Sequence, residues 1–132
     1  MTTTQARPFL MFQGEAEAAL TAYAALIPGS QIVELNRYGA GEPGPEGKVK
    51  RAVVNIAGTT VLAIDSPVQH AFTFTPAFSF FVDCASEAEL DRIWTALEPG
   101  GGVLMPLAAY GFSRRFGWLN DRFGVSWQLN LA

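Results

Sequence analysis

The chain has 132 residues, of which 49% are apolar and 16% are charged, and its formal net charge is −3 at pH 7. This length and composition predict one globular domain and exclude a disordered chain, and the nine scattered Lys and Arg residues argue against a nucleic-acid surface. The single cysteine, Cys84, excludes an internal disulfide and a cysteine-cluster metal site.

The N-terminal residues lack the charged-then-apolar pattern of a secretion signal, and no apolar run is long enough to cross a bilayer. A lone cysteine is typical of a reducing compartment. We therefore expect a cytoplasmic protein with neither a membrane nor a nucleic acid among its partners.

The first half of the chain reads as a strand, a helix and three more strands. The helix, Glu15–Ile27, has an apolar stripe at helical spacing and ends at Pro28-Gly29. Between the second and third strands, Gly39–Gly47 contains four Gly and two Pro and predicts a mobile loop. The strands are predicted at Pro8–Gln13, Gln31–Tyr38, Val49–Ile56 and Thr60–Asp65.

After an irregular crossover at Ser66–Thr75, the same order of elements recurs. A strand at Ala77–Asp83 precedes a helix at Ser86–Leu97, where Ser86 and Glu89 have the spacing of a capping box. A short strand at Val103–Leu107 and a hairpin at Gly117–Leu131 complete the chain.

The final hairpin carries the clearest strand pattern. Asp121–Gly124 predicts its turn, and apolar and polar residues alternate after it. The alternation places a polar row on the face opposite the apolar one. The apolar row is Val125, Trp127 and Leu129, and the polar row is Ser126, Gln128 and Asn130.

The two halves of the chain repeat each other. Tyr23–Gly29 is similar to Trp94–Gly100, and Ala57–Val61 is similar to Phe123–Trp127. The repeat predicts two βαβββ modules, at about residues 7–66 and 76–131. Since neither half alone covers both faces of its sheet, we expect the two to pack as a single domain.

Two such modules in a chain this short resemble the vicinal oxygen chelate superfamily, which includes glyoxalase I, bleomycin-resistance proteins and extradiol dioxygenases. Four segments are similar to its PhnB-like group, often labelled demethylubiquinone methyltransferase-like. The resemblance implies an α+β fold in which two βαβββ modules form a curved mixed sheet around a cavity, and it implies a homodimer. The four segments are Pro8–Tyr23, Val54–Pro67, Phe78–Trp94 and Gly117–Leu129.

The resemblance also indicates where the superfamily's metal enzymes carry their ligands. The corresponding positions lie near Pro8, at Leu62 or Ala63, within Ala77–Ser79 and at Gln128. Only Gln128 among them can ligate a divalent metal, and a site needs three or four protein ligands. The sequence also lacks a Gly-rich turn after an early strand with a downstream acid. We therefore expect neither a metal nor a cofactor.

Two residues are candidates for acid–base chemistry. His70, the single histidine, would act as a general base oriented by Asp65, because histidine titrates near neutral pH. The alternatives are that His70 is a surface loop residue and that Asp65 caps the turn after its strand.

Three residues are candidates for ligand binding. Gln128 would hydrogen-bond a ligand or a side chain on a neighbouring strand. Phe12 would shape the pocket wall, and Trp118 would either stack on a flat ligand or join the core. Trp127 is expected in the core, and Cys84 is expected to be an inert small hydrophobe.

The sequence thus favours a metal-independent protein of the PhnB-like group that binds a small-molecule ligand. The alternative is an enzyme of the glyoxalase/dioxygenase superfamily, with an atypical metal or acid–base site near Gln128, Asp65 and His70.

Overall fold

The computed structural model describes residues 2–132 and divides the chain into two compact units, with the boundary between Ala71 and Phe72. Each unit contains a four-stranded mixed sheet and one helix, so the predicted α+β fold of two βαβββ modules is confirmed. That the two units act as a single domain remains a prediction. No helix within residues 2–132 is long and apolar enough to cross a membrane.

The first unit has the sheet order β1-β4-β3-β2, in which only the β1–β4 pair is parallel. Ala57 and Gly58, with φ values of 46° and 98°, form the turn between β3 and β4. Both residues of such a turn need a positive φ, which glycine adopts without strain. The elements are β1 (Phe9–Phe12), α1 (Ala16–Leu26), β2 (Gln31–Arg37), β3 (Val49–Ile56) and β4 (Thr59–Asp65).

The second unit repeats this plan, with the order β5-β8-β7-β6 and a parallel β5–β8 pair. The predicted final hairpin forms, and its turn ends at Gly124 with a φ of 91°. The elements are β5 (Ser79–Asp83), α2 (Glu87–Leu97), β6 (Gly102–Ala108), β7 (Arg115–Asn120) and β8 (Ser126–Leu131).

Each helix buries the apolar stripe that its sequence predicts. The stripe of the first helix is at most 1% exposed and that of the second at most 7% exposed. Burial of these side chains removes apolar surface from water and drives each helix onto its sheet. The buried residues are Ala16, Ala19, Leu20, Tyr23 and Ile27 in the first unit, and Leu90, Ile93, Trp94 and Leu97 in the second.

Successive side chains of each strand point to opposite faces of the sheet. One face is buried against the helix, and the other, which the helix leaves uncovered, we call the open face. In the second unit, Trp127 and Leu129 are 0% exposed and lie on the buried face, as predicted for Trp127. A Cβ atom on Gly117 would lie 2.5 Å from the Trp94 ring, which places Gly117 on that same face. The polar residues of β8 therefore lie on the open face.

The glycine-rich segment of the first unit forms a loop, as predicted. Its ends are joined by hydrogen bonds of 2.9 Å, from Tyr38 N–H to the Lys48 carbonyl and from Gly47 N–H to the Tyr38 carbonyl. Gly44 lies against the Tyr38 ring, where a Cβ atom would come within 2.2 Å of it. These contacts anchor the loop, and its mobility remains a prediction.

Candidate functional site

Asp65, at the end of β4, is 1% exposed and its carboxylate is bound by backbone amides. Oδ1 accepts hydrogen bonds from the N–H groups of Gly14 and Ala16, at 2.7 and 3.0 Å. Oδ2 accepts a third from Val49 N–H at 2.8 Å. These bonds satisfy amides at the start of α1 that have no partner within the helix. The geometry therefore supports the capping interpretation of Asp65.

His70 lies in the crossover segment and pairs with a hydroxyl group. Its Nε2 is 3.0 Å from Ser66 Oγ, which also accepts a hydrogen bond from Val68 N–H at 3.2 Å. The carboxylate of Asp65 is directed at the three amides rather than at the imidazole. The structure thus places Ser66 beside His70, and an acid–base role for His70 stays a prediction.

Gln128 is the centre of a cross-strand row on the open face of the second unit. It lies directly opposite Phe81 of β5 on one side and Trp118 of β7 on the other. We call these three residues the glutamine row. Directly opposed residues have Cβ atoms about 4.5–5.5 Å apart, so the amide lies between two aromatic side chains.

A second row on the same face consists of Ser79, Ser126 and Asn120, which we call the serine row. Trp118 Nε1 donates a hydrogen bond to Ser126 Oγ at 2.8 Å, and Gln128 Nε2 donates one to Ser79 Oγ at 2.7 Å. The serine hydroxyls therefore fix the orientation of the indole and of the amide.

Two oxygen atoms of these rows are left without a partner among residues 2–132. Asn120 Oδ1 is buried and unpaired, and the hydrogen bond of Gln128 is made through its nitrogen alone. Phe81 is 53% exposed, and Trp118 is half-buried. The open face of the second unit therefore offers aromatic surface together with one unpaired acceptor, the Gln128 carbonyl oxygen.

Asp121, which the sequence analysis placed in the final turn without a role for its side chain, is a buried carboxylate. Its Oδ1 accepts hydrogen bonds from Phe123 and Val125 N–H at 2.9 and 3.0 Å, and its Oδ2 accepts one from Trp127 Nε1 at 3.0 Å. The local part of this pattern is an Asx-turn, which an aspartate before a glycine turn can indicate. Asp121 fixes the hairpin and the core tryptophan.

Phe12 and Cys84 both lie in the buried interior of their units. Phe12 is 3% exposed and leaves almost no surface for a ligand. Burial raises the pKa of the Cys84 thiol to about 11, and the Glu89 carboxylate adds to this effect. The thiol is therefore protonated at neutral pH, which supports the prediction that it is inert.

A groove of about 610 Å³ lies beside the start of α1, and it is lined in part by Glu17, Glu46, Lys48 and Asp65. The oxygens of Asp65 already accept three amide hydrogen bonds, so this aspartate brings no free acceptor pair to the groove. The remaining charges are mixed in sign and point to no single ligand chemistry.

The open faces do not fit a divalent metal. In the first unit the row that corresponds to the glutamine row is Phe9, Leu62 and Val53, which offer only hydrocarbon. In the second unit Gln128 brings a single neutral amide oxygen, and Phe81 and Trp118 beside it in the row bring no metal ligand. Within residues 2–132, no three His, Cys, Asp or Glu side chains are grouped so that they could hold a metal ion. A divalent metal needs several anionic or imidazole ligands.

Comparison with known proteins gives one family and several similar structures. The family model of 3-demethylubiquinone-9 3-methyltransferase matches residues 4–130. A PhnB protein from Bacillus cereus is 48% identical, with a TM-score of 0.94 over 98% of this chain and 100% of that chain. Protein PA1353 from Pseudomonas aeruginosa is 28% identical, with a TM-score of 0.84 over 98% of each chain. No curated protein matches the chain.

A more distant similarity shows the fold alone. The fosfomycin resistance protein FosX from Listeria monocytogenes, in a complex with Mn(II) and a dihydroxypropylphosphonic acid, is 13% identical to this chain. Its TM-score is 0.62 over 98% of this chain and 93% of that chain.

Proposed function

Because the chain belongs to the 3-demethylubiquinone-9 3-methyltransferase family of PhnB-like proteins, we propose that it is a small-molecule-binding protein whose site is the open face of the second unit. The observation that carries this proposal is the glutamine row, in which an amide is fixed between two aromatic side chains. Small-molecule sites combine apolar and aromatic surface with a few fixed polar groups.

The rigidity of the glutamine row supports binding. Hydrogen bonds from Trp118 and Gln128 to the serine row hold both side chains in place before a ligand arrives. A ligand then pays less entropy to order its site, which leaves more of the contact energy as affinity.

The proposed binding does not depend on a metal. FosX, which shares the fold, is described with Mn(II) and a phosphonic acid. The glutamine row contains one neutral amide and two uncharged aromatic rings, so its contacts with a ligand are stacking and hydrogen bonding.

The alternative, an enzyme with acid–base groups near Gln128, Asp65 and His70, has weaker support. Asp65 would have to release three amide hydrogen bonds before it could take up or deliver a proton. Turnover of a substrate that is abolished by Asp65→Asn in a correctly folded variant would favour this alternative.

We also propose that the protein is a homodimer of the cytoplasm, where its single thiol stays reduced. Several large apolar side chains are more than half exposed in the single chain, which favours burial against a second copy. Light scattering after gel filtration tests the dimer, and a monomer at all concentrations would contradict it. These side chains include Phe9, Val33, Phe72 and Phe112.

A fragment screen tests the binding proposal. Neutral aromatic compounds should raise the melting temperature equally in EDTA and in Mn(II) buffer. The Gln128→Ala and Trp118→Ala variants should weaken binding about tenfold, whereas Gln13→Ala, which changes an exposed glutamine of the first unit, should not. Binding that appears only with metal, or that ignores both site variants, would overturn the proposal.

A further inference from the structure

The unpaired polar atoms of the open face indicate which ligands it takes. We infer that the glutamine row selects planar aromatic molecules that donate a hydrogen bond from a hydroxyl or amino group, and that it rejects aromatic anions. This inference rests on the proposed function, since it assigns a ligand class to the same face.

The first step is a count of donors. The indole N–H is the only hydrogen-bond donor of tryptophan, and in Trp118 it is already used by Ser126 Oγ at 2.8 Å. The Gln128 amide directs Nε2 at Ser79 Oγ at 2.7 Å, which uses one of its two N–H donors and leaves its carbonyl oxygen as the unpaired acceptor. Trp118 therefore has no donor left for a ligand, and the nitrogen end of the Gln128 amide is turned towards Ser79 rather than towards a ligand.

The second step is a count of acceptors. Gln128 Oε1 and Asn120 Oδ1 have no partner among residues 2–132, and Asn120 Oδ1 is buried. Since Asn120 Oδ1 is enclosed, the acceptor that a ligand meets is Gln128 Oε1, and a ligand that brings a donor to it gains a hydrogen bond that the protein alone does not make.

The third step is charge. On the open-face positions of β5, β7 and β8, Asp83 is the only charged residue, and β6 has none. The cation on β7, Arg115, lies on the other face, where its Nε is 2.8 Å from the Asp91 carboxylate of α2. Within β5–β8 the face therefore has a negative charge and no positive one, and the nearest cation, Arg114 just before β7, directs its Nε at the Ala132 carbonyl at 2.7 Å. These four strands thus favour neutral or cationic ligands over anions.

The fourth step is shape. Phe81 and Trp118 lie on either side of Gln128 in the row, and Phe81 is 53% exposed. Two aromatic side chains at this spacing suit a flat ring that stacks on one of them while its substituent reaches the amide oxygen.

Three naphthalene probes test the inference on the full-length protein. We expect 2-naphthol to bind about five- to tenfold more tightly than 2-methoxynaphthalene, the factor that one hydrogen bond supplies. The anion 2-naphthoate should bind at least tenfold more weakly than 2-naphthol. Two-dimensional NMR of the three tryptophan indole N–H groups reports binding, and Trp118→Phe assigns the signal of Trp118.

Variants separate the hydrogen bond from the stacking and from the charge. Gln128→Leu keeps the size of the side chain and should remove the preference for 2-naphthol while 2-methoxynaphthalene still binds. Asp83→Asn should raise the affinity for 2-naphthoate about threefold or more, and the exposed Gln13→Leu should change neither preference. Asp83 is an exposed residue, so this second test stands even if Gln128→Leu fails to fold.

The outcomes distinguish the inference from the proposed function. Equal affinities for 2-naphthol and 2-methoxynaphthalene, or tightest binding of 2-naphthoate, would overturn the ligand class and leave the site in place. If none of the three probes shifts the Trp118 signal, both the proposed site and the ligand class are wrong.

Discussion

The two units have the same order of elements, but they secure the start of their helices in different ways. In the second unit the cap is local: Ser86 Oγ accepts Glu89 N–H at 3.1 Å, and Glu89 Oε2 accepts Ala85 N–H at 2.8 Å. In the first unit Glu15 makes no side-chain cap, and Asp65, 49 residues from Ala16, binds the amides instead. Both arrangements meet the same need of a helix start, and only the local one is visible in the sequence.

The open faces of the two units also differ, although the order of strands is the same. Leu62 and Gln128 have equivalent positions in the hairpins of their units. Leu62 lies three residues after Thr59, the first residue of β4. Gln128 lies three residues after Val125, whose carbonyl accepts a hydrogen bond from Asp121 N–H across the turn. At this shared position the first unit has a hydrocarbon row and the second has an amide between aromatic rings. The repeated scaffold therefore keeps the positions and changes the chemistry, which concentrates polar recognition in the second unit.

Among the changes that test the two helix caps, removal of the Asp65 carboxylate should lower the free energy of unfolding most. Asp65→Ala leaves three backbone N–H groups without their acceptor, and each costs about 1–3 kcal/mol when it is buried. We expect the free energy of unfolding to fall by about 3 kcal/mol or more, measured by urea denaturation. The exposed Asp83→Ala is the matched control, and equal losses for the two variants would contradict the role of Asp65.

The next effect concerns the close approach of helix and sheet in the second unit. Gly117→Ala would place a Cβ atom 2.5 Å from the Trp94 ring and 2.8 Å from Leu107 Cδ2. Such overpacking costs about 1–3 kcal/mol, which should appear as a lower melting temperature. Gly102→Ala, where a Cβ atom meets nothing within 4 Å, should stay within about 0.5 kcal/mol. A harmless Gly117→Ala would show that Trp94 can move away.

The local cap of the second helix should contribute less than the distant cap of the first. Ser86→Ala removes the acceptor of Glu89 N–H and should cost about 1 kcal/mol in the free energy of unfolding. Ser86→Asp keeps an oxygen acceptor and should stay close to wild type. If Ser86→Ala costs as much as Asp65→Ala, the contrast between the two caps does not hold.

The smallest expected effect is a dependence of stability on pH in the second unit. Burial raises the pKa of the Cys84 thiol from 9.0 to about 11. The corresponding residue of the first unit is Phe12, which lies three residues before Glu15 as Cys84 lies three residues before Glu87. Phe12 does not titrate. Between these values the unfolded thiol loses its proton before the folded one, so stability falls as pH rises. Unfolding measured from pH 8 to 11 should show this decline in wild type relative to Cys84→Ala, and parallel curves would contradict it.

Whether the sequence predicted a contact of a site residue depends on how far apart the two contacting residues are in the chain. The alternation of Ser126, Gln128 and Asn130 was predicted, as was the burial of Trp127. The sequence analysis gave a side chain on a neighbouring strand as one possible partner of Gln128, but it did not identify that partner as Ser79, 49 positions away. The face on which Phe12 lies was equally hidden, because a strand of four residues does not reveal which side the helix covers.

What the sequence by itself determined is the set of features that depend on residues within about one turn of helix or one hairpin. These are the two apolar stripes, the Ser86–Glu89 cap, the repeated order of elements and the resemblance to the PhnB-like group. Helical periodicity, capping and turns act over a few positions, so their patterns survive in a linear chain.

Only the tertiary structure decided the partners of Asp65 and the composition of the glutamine and serine rows. These contacts depend on the register of strands that are far apart in the chain, and a shift by one residue would move every side chain to the opposite face. The register places Phe81 and Trp118 on either side of Gln128, and it brings Asp65 to the start of α1.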